Sequence, residues 1–337
     1  MEKLNDPALL AAKERWFNRL SLFYKGGHDG RTFNLNGYPA VPVIADPYQN
    51  PELWVDESLD LLADQLADRF LDTGIFRPAC IEYNIYGVHY VDKILGADVF
   101  MLEGGWNSRY LTTPVGALQA PDLDNNEVYL LSERAAKAFV ASGVRLPLYG
   151  LPTIASALNI AVNLYGQNVF AAMYEEPECI MHDLRVINDL LIELHRRFKA
   201  IIPAENLQPV VSWERTQPYC CGQICGCSTQ MISLDMYREF VAELDEALLA
   251  VYENGGMIHL CGTHTQHIPA FREMKSLNAL QLHNRAAQDL AYYLEQLRED
   301  QVIYINTCAE MPYEQALEIS RGRRVIFVGE NRPVGIE

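Results

Sequence analysis

The sequence predicts an α/β protein, built as a (β/α)8 TIM barrel with an N-terminal helical extension. Short apolar runs rich in Val, Ile and Tyr recur along the chain, and each is followed by a turn signal and helix-period sequence. Eight such runs can be counted. Eight parallel strands that alternate with helices are the element order of a closed barrel. We therefore expect the extension over residues 1–76 and the barrel over residues 77–337.

The predicted strands and helices can be placed in order. The eight strands are expected over residues 78–83, 98–103, 145–150, 208–213, 256–261, 278–283, 301–306 and 324–329. One amphipathic helix is predicted to begin after Pro177, and Ser233 is predicted to cap another that ends before Gly255. Residues 151–172 are small and nearly uncharged, which favours a helix packed closely beneath the ligand pocket.

Composition limits the classes of function. The chain has 337 residues, of which 49% are hydrophobic, so it can bury a sizeable core. With 27 Lys and Arg against 44 Asp and Glu, its formal net charge is -17, and it lacks the basic footprint that nucleic acid requires. It has neither a signal-peptide pattern nor an apolar run near the roughly 18 residues of a membrane span. We expect a cytoplasmic protein that binds neither nucleic acid nor membrane, with reduced cysteines available as ligands.

The stretch MIHLCGTHTQH, residues 257–267, contains the first candidate metal ligands. His259 and Cys261 are two residues apart in a predicted strand, so their side chains point to the same side, at the strand end that carries barrel active sites. This arrangement is competent for zinc, but a catalytic zinc needs about three protein ligands. The expected third ligand is Cys308, with Glu330 as the second choice. The alternative is that His259 and Cys261 line the rim of a metal-free pocket.

Four cysteines lie close together after the fourth predicted strand: Cys220, Cys221, Cys225 and Cys227. Their spacing matches neither common ferredoxin pattern, which argues against an iron-sulfur cluster. We expect Cys225 and Cys227 to line the substrate pocket, and either of them is a possible extra metal ligand.

Polar residues near the predicted strand ends supply the other candidates. His264 is expected to act as a catalytic proton shuttle or to orient a zinc ligand, whereas His267 is expected at the surface. Glu82 is a candidate catalytic acid or base, and Asn84 and Trp106 are candidate substrate-binding residues. The alternative for the polar residues at these strand ends is that they cap the following helices.

Three segments, in residues 145–262, resemble the uroporphyrinogen decarboxylase superfamily: LPLYGLPTIASALNIAVNLYG, CSTQMISLDMYREFV and GGMIHLCG. The HLCG element is similar to the His-x-Cys pair of its corrinoid-dependent methyltransferase branch, where zinc binds a thiol substrate, usually coenzyme M. The resemblance implies Zn²⁺ held by His259 and Cys261, methylcobalamin on a partner corrinoid protein, and a small-molecule methyl acceptor. In that branch the third zinc ligand is a cysteine after the last strand, where this chain has Glu330.

Other functions are compatible with the sequence. One is a metal-free lyase, similar to uroporphyrinogen decarboxylase, that acts on a small or tetrapyrrole substrate. The true decarboxylases have an arginine-rich motif on the first strand, whereas this chain reads PACIEYNIYG, which disfavours a polycarboxylate porphyrinogen. A non-enzymatic barrel that binds a tetrapyrrole or corrinoid, and a non-thiol methyl acceptor such as tetrahydrofolate, are further alternatives.

Overall fold

The computed structural model describes residues 2–27, 32–38, 43–66, 71, 74–208 and 213–329, and these residues form a mixed α/β fold with parallel sheets. The strands are β1 (Phe33–Leu35), β2 (Cys80–Glu82), β3 (Val99–Leu102), β4 (Gly105–Ser108), β5 (Leu148–Gly150), β6 (Leu207–Gln208), β7 (Gly222–Cys225), β8 (Gly256–Leu260), β9 (Leu277–Leu282), β10 (Val302–Asn306) and β11 (Val325–Val328). The α/β class predicted from the alternating pattern is confirmed.

Helices follow most of the strands. They are α1 (Pro7–Tyr24), α2 (Pro51–Gln65), α3 (Tyr90–Ile94), α4 (Glu127–Ala141), α5 (Ala157–Tyr165), α6 (Asn168–Glu175), α7 (Pro177–Ile201), α8 (Leu234–Phe240), α9 (Ala242–Leu249), α10 (Ile268–Glu273), α11 (Arg285–Gln288), α12 (Leu290–Gln296) and α13 (Tyr313–Ile319). Short 3₁₀ helices include Trp213–Arg215 and Cys227–Met231. No helix of the described segments has the length and apolar character needed to cross a membrane.

The parallel strands form two sheets. The larger has the order β1-β11-β10-β9-β8-β7, and the smaller has the order β2-β5-β6. One hydrophobic cluster collects buried side chains from both, among them Met257 and Tyr304 of the larger sheet and Leu148 of the smaller. Trp16 and Phe17 of α1 belong to the same cluster. The two sheets therefore share a core that α1 helps to fill.

The helix predictions around Pro177 and Ser233 are confirmed. Pro177 is the first residue of α7. The Ser233 side chain accepts a hydrogen bond from the backbone N–H of Met236 at 3.3 Å, which caps α8. The helix expected to continue towards Gly255 is interrupted at Val241, whose backbone leaves the helical conformation (φ -125°), so α8 and α9 are separate.

The strand predicted over residues 98–103 is present, but it is not a parallel strand of a barrel. Residues 99–102 are extended, but β3 pairs antiparallel with β4. The two residues between these strands, Glu103 and Gly104, both have positive φ (50° and 82°). Positive φ at both central positions is typical of the tight hairpin turn that reverses a strand. The run therefore forms an isolated hairpin.

Two further strands lie where none was predicted. β1 falls within residues 1–76 and pairs parallel with β11, so this segment supplies a sheet strand besides its helices. β7 occupies part of the cysteine-rich stretch that follows the fourth predicted strand, and it pairs parallel with β8. Of the strand predicted over residues 208–213, the structure describes Gln208 at the end of β6 and Trp213 in a 3₁₀ helix; residues 209–212 lie outside the described residues.

Candidate metal centre

The pairing of β7 with β8 brings one histidine and two cysteines together. Cys225 lies opposite His259 in this register, and the backbone N–H of Gly226 donates to the carbonyl of His259 at 2.9 Å. The chain then turns directly into the 3₁₀ helix that starts at Cys227. The ligand atoms of Cys227, His259 and Cys261 all lie within 4.8 Å of one another, so this group could hold a metal ion.

Gln281 of β9 orients the His259 ring. The Nδ1 atom of His259 lies 2.8 Å from Oε1 of Gln281, and Nε of Arg215 donates to the same oxygen at 2.6 Å. Since an arginine can only donate, that atom is an acceptor, and Nδ1 of His259 must carry the proton. The Gln281 amide nitrogen in turn donates to Oδ1 of Asn306 at 2.8 Å. This leaves Nε2 of the neutral His259 ring without a proton, the form of imidazole that binds a metal.

Two buried histidines support the turn that carries Cys227. The Thr229 hydroxyl donates to the carbonyl of Gly226 at 2.7 Å, so it accepts from Nδ1 of His264, which lies 3.0 Å away. Nε2 of His267 donates to the Thr229 carbonyl at 2.8 Å. Both rings are fully buried, so the expected surface position of His267 is wrong.

The burial of His264 bears on the proton-shuttle role predicted for it. Burial lowers the pKa of His264 to about 3, which keeps the ring neutral. The Nδ1–H group of His264 donates to the Thr229 hydroxyl. His264 therefore supports the 3₁₀ helix that begins at Cys227.

The electrostatics of the group favour one ionised thiol. Hydrogen bonding to Cys227 lowers the pKa of Cys261, despite its partial burial. The same contact with Cys261 raises the pKa of Cys227. Burial lowers the pKa of His259 and so favours its neutral form. A thiolate and a neutral imidazole are the protonation states in which these side chains bind metals.

The other two residues predicted as metal ligands are Cys308 and Glu330. Cys308 is half-buried and forms an isolated bridge with Met311, through reciprocal backbone hydrogen bonds of 3.1 Å; it does not belong to the three-residue group. Glu330 lies outside the described residues. The third side chain of the group is Cys227, which the sequence placed in the substrate pocket with a possible role as an extra ligand.

The four clustered cysteines are divided by β7. Cys220 and Cys221 precede the strand, whereas Cys225 ends it and Cys227 follows it. Four strand residues span on the order of 13 Å, so the two pairs lie at opposite ends of the sheet. Cys225 accepts a hydrogen bond from the Arg215 guanidinium at 3.5 Å.

Glu82 ends β2 and borders a cavity of about 320 Å³. Gly150 lies opposite it in the β2–β5 register, and a Cβ there would stand 3.1 Å from Cγ of Glu82, so glycine leaves room for this side chain. Burial raises the pKa of Glu82 to about 7; the charge of Arg215 opposes this shift and that of Glu214 adds to it. A carboxyl group in this state can accept or donate a proton near neutral pH.

The two predicted substrate-binding residues of this region are not members of the three-residue metal group. Asn84 is exposed and accepts a hydrogen bond from the Thr153 hydroxyl at 3.2 Å. Trp106 in the β3–β4 hairpin packs with Tyr48 and Tyr86, with ring centroids 5.9 and 5.1 Å away.

The comparisons with known proteins bear on the fold. No family model and no curated protein matches the sequence. The structure is similar to that of a methyltransferase from Methanosarcina mazei, with a TM-score of 0.62 and 12% sequence identity over 92% of this chain and 91% of that chain. The structure thus shows an α/β protein that shares its fold with that protein and contains a Cys-His-Cys group that could hold a metal ion. At this identity the likeness establishes the shared fold alone.

Proposed function

We propose that this protein is a zinc-dependent methyltransferase that moves a methyl group from a corrinoid protein to a thiol or a similar small-molecule acceptor. The convergence of Cys227, His259 and Cys261 carries the proposal. The shared fold with a methyltransferase and the resemblance of the HLCG element to the corrinoid-dependent branch support it. The core common to both parallel sheets supports the closed (β/α)8 barrel on which this function would rest.

The donor set fits zinc. Cysteine sulfur and imidazole nitrogen are ligands that zinc prefers, and three protein ligands leave the open position typical of a catalytic zinc. His259 presents its unprotonated Nε2, because its Nδ1 proton is directed at Gln281. Hard cations such as Mg²⁺ prefer oxygen ligands and would bind weakly to this group.

The residues of the site would have two roles, metal binding and orientation of the imidazole. Cys227, His259 and Cys261 would hold the zinc, and Gln281 would keep the imidazole in the binding tautomer. Bound there, zinc would lower the pKa of a coordinated thiol substrate and so supply a thiolate at neutral pH. Methylcobalamin on a separate corrinoid protein would be the methyl donor, and this partner is part of the proposal.

Metal content tests the site directly. We would measure zinc by plasma mass spectrometry on tag-free protein prepared under reducing, zinc-replete conditions, for the wild type, Cys227→Ser and the matched control Cys308→Ser. We expect about one zinc per chain in the wild type and in Cys308→Ser, and its loss in Cys227→Ser. Loss in Cys308→Ser with retention in Cys227→Ser would make Cys308 the ligand and contradict this donor set.

Methyl transfer tests the reaction. Wild-type protein loaded with zinc should methylate a simple thiol from methylcobalamin, and Cys227→Ser should lose this activity together with its metal. Activity that survives complete metal removal would contradict the zinc mechanism. A wild-type protein that binds no zinc would favour the metal-free lyase alternative.

A further inference from the structure

A cavity lies beside β2, where the two parallel sheets meet. β1 belongs to the larger sheet and β2 to the smaller, and an isolated bridge between Leu35 and Phe76 connects the two regions. The cavity opens between β2 and α2 and has a volume of about 320 Å³. This volume is at the lower end of the range for ligand sites, roughly 300–1,000 Å³, so the cavity is suited to a small molecule.

The described lining combines aromatic and apolar residues with the polar side chains of Ser58 and Gln65 and one carboxyl group. Tyr38, Trp54 and Trp213 contribute aromatic rings, and Leu62 contributes apolar surface. Glu82 is the single acidic residue of the described lining, which contains no Lys, Arg or His. Aromatic faces and a carboxylate both attract cations, and both disfavour anions.

The carboxyl group of Glu82 has an unused acceptor. Its Oε1 atom is buried and has no hydrogen-bond partner among the described residues. A buried carboxyl group without a hydrogen bond is costly, so a ligand that donates to the carboxyl group of Glu82 would gain more than one that only fills the space. The charged groups that face Glu82 are Arg215 and Glu214, and burial raises its pKa to about 7. An incoming cation would favour the ionised carboxylate.

We propose that this cavity binds a small organic ammonium compound, whose N–H group donates to Glu82 and whose apolar or aromatic body lies against Trp54 and Trp213. A quaternary ammonium would neutralise the charge of the Glu82 carboxylate, but it has no N–H group to donate to that carboxylate. A carboxylate or sulfonate ligand would be repelled by Glu82. None of the cavity's described lining residues belongs to the Cys-His-Cys group.

Calorimetry with matched probes tests the proposal on the full chain. The probes are benzylamine, benzyltrimethylammonium, benzyl alcohol and phenylacetate, at about pH 8, where Glu82 is ionised and the amine is still protonated. We expect benzylamine to bind most tightly, benzyltrimethylammonium and benzyl alcohol at least several-fold more weakly, and phenylacetate not at all. Glu82→Gln should weaken benzylamine binding at least tenfold, whereas Glu103→Gln, at the exposed β3–β4 turn, should leave it unchanged.

The ranking of probes on the wild type keeps the proposal falsifiable even if Glu82→Gln fails to fold. Phenylacetate binding as well as benzylamine, or equal binding of benzyl alcohol and benzylamine, would overturn it. So would the absence of binding by all four probes. These outcomes are separate from the proposed function, because zinc content is measured on protein without any probe.

Discussion

At the residue scale, Gln281 connects the metal group to the polar residues around it. Its side-chain oxygen accepts from His259 and Arg215, and its nitrogen donates to Asn306. The network gives the imidazole one tautomer and one orientation, although Gln281 itself is not a member of the metal group. Residues that orient metal-binding histidines typically contribute as much to affinity as some ligands do.

Replacing Gln281 with leucine should therefore weaken zinc binding about 10- to 100-fold, because His259 loses the acceptor for its Nδ1 proton. Affinity would be measured by competition with a chromophoric chelator, and the absorption of Co²⁺-substituted protein would report the ligand geometry. The matched control is Gln301→Leu, a buried glutamine that donates to the carbonyls of Phe271 and Leu277. Equal zinc affinity in both variants would mean that Gln281 does not position the ligand.

At the element scale, α5 holds the segment that carries Cys227. The Ser156 backbone N–H, at the start of this helix, donates to the carbonyl of Cys225 at 3.2 Å. The side-chain oxygen of Asn159 accepts from the Ser228 backbone N–H at 2.9 Å. The helix thus contacts the chain on both sides of Cys227 and limits where that thiol can lie.

Asn159→Ala should lower zinc affinity several-fold and reduce the free energy of unfolding by about 1 kcal/mol, the usual cost of one lost hydrogen bond. Asn163→Ala is the control: it lies one turn later on the same helix and donates to Asp92 at 2.9 Å. We expect a similar loss of stability there with unchanged zinc affinity, measured by urea unfolding and chelator competition. Parallel losses of affinity in both variants would show that general loosening of α5, and not the contact with Ser228, is responsible.

The elements also show what sequence patterns predicted of the site. The spacing of His259 and Cys261 predicted their convergence, because the two-residue period of a strand is a local property. Cys227 was not identified as the third member, because its position depends on β7, whose four residues GQIC are too short and too mixed to be recognised as a strand. Had β7 been recognised as the neighbour of β8, the position of Cys227 two residues after the end of β7 would have indicated the third member.

At the scale of the whole molecule, α1 is part of the main structure. Its Trp16 and Phe17 are buried in the cluster shared by both parallel sheets, and Trp16 stacks on Phe76 with ring centroids 5.2 Å apart. Together with the pairing of β1 and β11, this packing attaches α1 and β1 to the sheets. Removing α1 would expose the shared core.

Phe17→Ala should accordingly reduce the free energy of unfolding by about 3–5 kcal/mol, the usual cost of deleting a fully buried phenylalanine side chain. Leu22→Ala on the same helix is the control, because Leu22 is 54% exposed, and its effect should stay within about 0.5 kcal/mol. Urea unfolding followed by circular dichroism would measure both. A small effect of Phe17→Ala would mean that α1 docks only loosely.

The sequence by itself determined the α/β class, the starts of α7 and α8, and the shared face of His259 and Cys261, because apolar periodicity, helix caps and strand alternation act over a few residues. Only the tertiary structure decided that residues 99–102 form an antiparallel hairpin, that β1 joins β11, and that Cys227 completes the candidate metal group. Each of these depends on which distant strands pair and in which register. Strand pairing and register are decided by the burial of the whole core, so they cannot be predicted from any short stretch of sequence.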